Sequence, residues 1–126
     1  MILIFGGAYQ GKLEYALKRF GMDEMDVYRC DEATVGIPSE KSIIYEIDKW
    51  ILALVKEEID AEKAAELFIA VNKGAVVICN DISCGVVPID PILRKWREAV
   101  GRALAKIAHS SDEVIRLFCG IPTKVK

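Results

Sequence analysis

An α/β fold with a mostly parallel sheet flanked by helices is what this sequence predicts, and two observations predict it. Short apolar, β-branched runs alternate along the chain with stretches of helical periodicity, the pattern of β-α-β units. The first apolar run, Ile2–Phe5, leads directly into a glycine-rich turn, Gly6-Gly7-Ala8-Tyr9-Gln10-Gly11-Lys12, with helix-forming residues behind it. Composition agrees with a protein that builds its own core. The 126 residues fit one domain spanning 1–126, and 52% of them are hydrophobic, enough to fold without disulfide staples.

The elements follow in order. Ile2–Phe5 is continuously apolar, as a strand buried on both faces should be. Lys12–Phe20 reads as a helix closed by Gly21. Asp26–Cys30 is a weaker strand, and Asp31–Lys41, with Gly36 and Pro38, reads as loop. Ser42–Glu46 is the second clear strand. Ile47, Trp50, Ile51, Leu54 and Val55 then place one apolar stripe on a helix, for which Asp48 fits as N-cap. Asp60 fits as N-cap of a helix ending near Asn72, and Ala75–Cys79 is a third buried strand. Asn80–Ile89 reads as loop. Asp90-Pro91 opens a long helix, with Asp as cap and Pro at the first helical position. Glu113–Phe118 is a further strand, with Thr123–Val125 able to pair beside it. Trp50 and Trp96 are expected as apolar anchors. Parallel sheets of this kind bind ligands at the carboxyl ends of their strands, so the informative residues are those from Gly6, Glu46, Asn80 and Cys119 onward.

Composition excludes several classes. Net charge is −2 with both signs dispersed, which leaves no electrostatic footprint for nucleic acid. Four cysteines without a C-x-x-C pair, and a single histidine, His109, do not make a zinc cluster; reduced thiols are expected. No run reaches the ~18 apolar residues of a membrane span. The apolar start is too short and too little flanked by charge for a signal peptide, so the expected compartment is the cytoplasm.

The turn carries the chemistry. Gly6–Lys12 matches the phosphate-loop pattern G-x-x-x-x-G-K, in which backbone N–H groups and a helix N-terminus cradle phosphates and the lysine supplies a mobile charge. The candidate nucleotide-binding residues are therefore Gly6, Gly7, Ala8, Tyr9, Gln10, Gly11, Lys12 and Leu13, with ATP or GTP as ligand. A glycine-rich strand-to-helix turn also occurs without a ligand, but that does not call for lysine here. Leu13 stands where a hydroxyl ordinarily helps hold Mg²⁺. The carboxylates at the other strand ends, Glu46 and Asp81, are the candidate Mg²⁺ ligands and catalytic acids or bases, beside Lys12. Arg94 and Arg97, early in the last helix, are candidates for phosphate contact.

The second half is similar to the adenosylcobinamide kinase / adenosylcobinamide-phosphate guanylyltransferase family, the CobU family. Asn80-Asp81-Ile82-Ser83-Cys84-Gly85-Val86-Val87-Pro88 resembles that family's N-E-V-G-x-G-I-V-P loop. Arg94, Trp96, Arg97, Glu98 and Gly101 fall on its R-x-F-R-D-x-x-G. Asp112-Glu113-Val114 and Gly120-Ile121-Pro122 with Lys124 and Lys126 match its ending, and Gly6-Gly7-Ala8 with Gly11-Lys12 matches its phosphate loop. The resemblance implies a RecA-like P-loop fold, commonly a homotrimer, acting on adenosylcobinamide as corrinoid substrate. It also implies nucleotide-dependent phosphorylation followed by GMP transfer from GTP. Glu46 stands for the family's strand-end aspartate. The family's guanylylated histidine has no counterpart in Asp31–Lys41, and His109 does not replace it. The expectation is therefore a kinase of cobalamin biosynthesis or salvage, with the guanylyltransferase step unsupported. The alternative is a degenerate relative that binds nucleotide or corrinoid without turnover.

Overall fold

The computed structural model describes residues 1–82 and 88–126. Each apolar run becomes a strand and each periodic stretch a helix. In chain order these are β1 (Ile2–Gly6), α1 (Lys12–Phe20), a 3₁₀ turn (Glu24–Asp26), β2 (Val27–Arg29), β3 (Ile43–Tyr45), α2 (Ile47–Lys56), α3 (Ala61–Val71), β4 (Val76–Asn80), α4 (Pro91–Ser110), β5 (Glu113–Phe118) and β6 (Ile121–Lys124). The strands form a six-stranded sheet in the order β2-β3-β4-β1-β5-β6. All neighbours are parallel except β5 and β6, which pair antiparallel with Phe118 opposite Ile121.

Alternation along the strands divides the core between two sheet faces. Leu3, Ile44, Val77, Cys79 and Val114 share one cluster with Trp50, Ile51 and Leu54 of α2, Ala65 and Phe68 of α3, and Val100, Ala103 and Ile107 of α4. Ile4, Ile43, Val76, Ile78 and Ile115 meet Ala16, Leu13, Leu17 and Phe20 of α1 in the other. One face thus carries three helices and the other carries α1. Trp50 is 1% exposed and stacks obliquely on Phe68, with ring centroids 5.5 Å apart. Trp96 packs at the edge of the same cluster. Both tryptophans are anchors.

Capping follows the local sequence. Asp60 accepts from the backbone N–H groups of Glu62 and Lys63, and Asp90 from those of Ile92 and Leu93. The start of α2 corrects one expectation. Its N-cap is Glu46, in left-handed backbone at φ 60° with no side-chain cap bond, and Asp48 lies inside the first turn. Asp48 does not cap because its carboxylate is directed inward, where it is 3% exposed and bonded to the end of β4. Of the Asn80–Pro88 loop, residues 83–87, including Ser83 and Cys84, lie outside the described residues. Cys30 and Cys79 are buried and free, and Cys119 is exposed and free.

Candidate functional site

β1 is central, with β4 on one side and β5 on the other. Its carboxyl end therefore opens where strand order reverses, which is where such sheets leave a crevice. Gly6 is required by its neighbour, because a Cβ there would lie 2.3 Å from the carbonyl oxygen of Leu117 on β5. Gly11 closes the loop as N-cap of α1 at φ 81°, a left-handed conformation that glycine adopts without strain. The strand, glycine loop and helix together place residues 8–13 along the crevice.

The loop is strapped on its far side. The backbone N–H of Cys119 donates to the Gln10 side-chain oxygen, and the N–H of Gly120 donates to the Gln10 carbonyl at 3.2 Å. Gln10 thereby ties the phosphate loop to the β5–β6 turn. The N–H of Asp81 donates to the Gly6 carbonyl at 2.7 Å, holding the β4 end against the loop's beginning.

A cleft of about 550 Å³ opens at this edge, lined by Ala8, Tyr9, Gln10, Gly11, Lys12, Leu13, Glu14, Tyr45, Glu46, Lys49 and Asn80. The Lys12 side chain folds back so that its ammonium donates to the Gly7 carbonyl at 2.5 Å. Burial lowers the Lys12 pKa, and the nearby Asp48, Cys79 and Glu46 oppose that shift. A buried ammonium with the Asp48 and Glu46 carboxylates nearby favours a further anion only where the anion touches the ammonium directly. The phosphate loop provides such a position.

The opposite wall is a polar network. Asp48 accepts from the Asn80 backbone N–H at 3.1 Å and from its side-chain amide at 3.3 Å. The same amide lies 3.5 Å from a Glu46 oxygen, and Lys49 pairs with that oxygen at 3.1 Å. The Trp96 indole N–H donates to the Asp48 carbonyl at 2.7 Å, which brings the start of α4 onto α2. Burial raises the Asp48 pKa, and its bonds from Asn80 limit the rise. Tyr45 has the Arg29 guanidinium over its ring at 5.2 Å.

The structure gathers most of the residues expected from sequence and separates a few. Ala8 through Leu13 line the cleft, as does Glu46. Gly6 and Gly7 lie beneath it as the loop's base, and Tyr9 stands fully exposed at the tip. Asp81 follows β4 and is half-buried behind the loop. Arg94 is exposed and Arg97 half-buried on α4; neither is among the described residues lining this cleft. Tyr45, Lys49 and Glu14 line it without having been singled out in the sequence, and Asp48 supports it from below. For Lys49 a signal existed, since it falls one helical turn after the strand-end Glu46.

Leu13 offers no oxygen, so the donor set does not suit a cation held wholly by the protein. A cation there would have to be held chiefly by phosphate and water, and of the two candidate carboxylates Glu46 lines the cleft whereas Asp81 is not among the described residues that do. Among the described residues no group of three or more His, Cys, Asp or Glu side chains is gathered for a metal, and no helix is long and apolar enough to cross a membrane.

Comparison with known proteins adds the lineage. A family model described as cobinamide kinase / cobinamide phosphate guanyltransferase matches residues 39–125. That match begins after the phosphate loop, so the loop and the family stand on separate observations. The bifunctional adenosylcobalamin biosynthesis protein CobU of Salmonella typhimurium is 29% identical over 83 residues, covering 63% of this chain and 45% of that protein. The chain thus spans less than half the length of this curated relative. The parallel sheet with a phosphate loop after its central strand is the P-loop NTPase arrangement, and with a family match over residues 39–125 this chain belongs to the CobU family.

Proposed function

We propose that this chain is a single-domain, nucleotide-dependent kinase of cobalamin biosynthesis or salvage that phosphorylates adenosylcobinamide from ATP or GTP. The observation that carries the reading is the convergence of Lys12, Glu46 and Asn80 on one cleft at the carboxyl edge of the sheet. Backbone N–H groups from Gly7 to Lys12 cradle the phosphates, and the Lys12 ammonium exchanges the Gly7 carbonyl for a phosphate oxygen. Mg²⁺, if bound, would be held mainly through the nucleotide and would supply charge neutralisation, with one of Glu46 and Asp81 as a protein ligand and the other left to the substrate hydroxyl. In the transfer, the acceptor hydroxyl oxygen forms a bond to the terminal phosphorus as the bridging oxygen–phosphorus bond breaks. The nucleoside diphosphate leaves with that oxygen, and the hydroxyl proton passes to Glu46 or Asp81. The work is positioning and charge stabilisation. Arg94 and Arg97 belong to this proposal as contacts for the corrinoid side of the substrate or for phosphate. Likeness to the family extends the proposal to a cytoplasmic homo-oligomer, a trimer by that analogy. GMP transfer is not part of it, since no histidine stands near the cleft to accept the nucleotide.

Purified protein with Mg²⁺, adenosylcobinamide and ATP or GTP should yield adenosylcobinamide phosphate and nucleoside diphosphate in equal amounts. Lys12→Ala should lower the rate by at least about 100-fold, the scale of losing one preorganised charge contact to the transition state. Absence of both nucleotide consumption and phosphorylated corrinoid in the wild type would overturn the catalytic reading.

Leu13 favours a second reading, a family member that binds nucleotide without turnover. Calorimetry then shows binding while no product forms. Leu13→Ser separates the two, because it creates strong Mg²⁺-dependent activity only if the natural protein is impaired at that step.

A further inference from the structure

The cleft contains two ammonium groups, and they are held differently. Lys12 is 4% exposed and rests on the loop itself. Lys49 stands on the opposite wall, on α2, with its side chain 40% exposed and its Nζ 3.1 Å from Glu46. Lys49 shares the cleft with Gly11, Lys12 and Leu13, and Leu13 contributes no metal-binding oxygen to a polyanion placed there.

We propose that Lys49 is a second phosphate-binding cation, whose ammonium leaves Glu46 for the outermost phosphate of a bound nucleoside triphosphate. This rests on the nucleotide reading and adds a residue to it. The exchange is cheap for three reasons. A half-exposed ion pair holds its partners weakly. The lysine stem is long and flexible, so its head re-aims without any helix motion. Phosphate oxygens are strong acceptors for an ammonium. The exchange also has a consequence on the other partner. Glu46 lines the same cleft, so the departure of Lys49 leaves its carboxylate at the cleft wall with the Asn80 amide still 3.5 Å away.

The test is calorimetry on the full chain with ATP, ADP, GTP and GDP, each with and without Mg²⁺. The proteins are wild type, Lys49→Met, Lys49→Arg and the double variant Glu46→Gln/Lys49→Met, with thermal melts to confirm folding. Lys49→Met should weaken triphosphate binding about tenfold, as expected for one charge-assisted bond, and diphosphate binding less. The loss should grow without Mg²⁺, and Lys49→Arg should stay within about threefold of wild type. The double variant should remain as weak as Lys49→Met. Unchanged affinity in Lys49→Met, equal losses for tri- and diphosphates, or recovery in the double variant would each overturn the proposal; recovery would mean that Lys49 only masks Glu46. If the wild type itself binds none of the four nucleotides, the nucleotide reading falls, an outcome distinct from a wild type that binds and a variant that binds equally well.

Discussion

Single residues in this protein are fixed by very close neighbours. Gly6→Ala would drive a methyl group into the Leu117 carbonyl oxygen, 2.3 Å from the position its Cβ would take. A backbone atom cannot step aside as a side-chain tip can, so a loss of about 2–3 kcal/mol is expected in denaturant unfolding. Asp48 makes a different prediction. Burial raises its pKa above the ordinary 3.8, so the folded chain holds this proton more tightly than the unfolded chain. Its contribution to stability is therefore greatest below pH 3.8 and falls as pH rises through the raised value. Asp48→Asn should flatten that decline, seen as urea midpoints that change less with pH than those of the wild type. Lys12 was legible in the sequence because the loop pattern is local. Asp48 was not, because its environment comes from Asn80, 32 residues away, and from Trp96, 48 residues away. With neither neighbour in view, an aspartate beside a helix start reads as a cap.

Elements were legible where their ends are marked by their own residues. Asp60 and Asp90 announce α3 and α4, and both cap as their spacing suggests. Asp90→Ala should cost about 1 kcal/mol of stability, measurable as a shift in the unfolding midpoint without a change in slope. The short edge strands were less legible. β2 has three residues and β6 has four surface-exposed ones, so little apolar periodicity marks either. The strap from Gln10 to the β5–β6 turn was invisible for a related reason, since it joins residues 109 positions apart. Gln10→Ala should leave global stability nearly unchanged while weakening nucleotide affinity, because the loop loses the side chain that preorganises it. Calorimetry beside a thermal melt distinguishes that outcome from general destabilisation.

At the scale of the molecule, alternation of strands and helices sufficed to predict a mostly parallel sheet. It did not predict the strand order, which depends on which buried strands meet across long stretches of chain. The division of the core, with three helices on one face and α1 on the other, likewise emerges only when the strands are paired. That order has a temporal side. β1 precedes both of its partners, β4, ending at Asn80, and β5, ending at Phe118. A ribosome must therefore deliver β4 and β5 before β1 has both neighbours, and long-range parallel pairing of this kind is slow. During synthesis the phosphate loop would be among the last features to take shape although it precedes β4 and β5 in sequence. A chain ending at residue 110, short of β5, should consequently exchange the amides of Ile2–Phe5 faster than the 126-residue chain, in which β5 pairs along that strand.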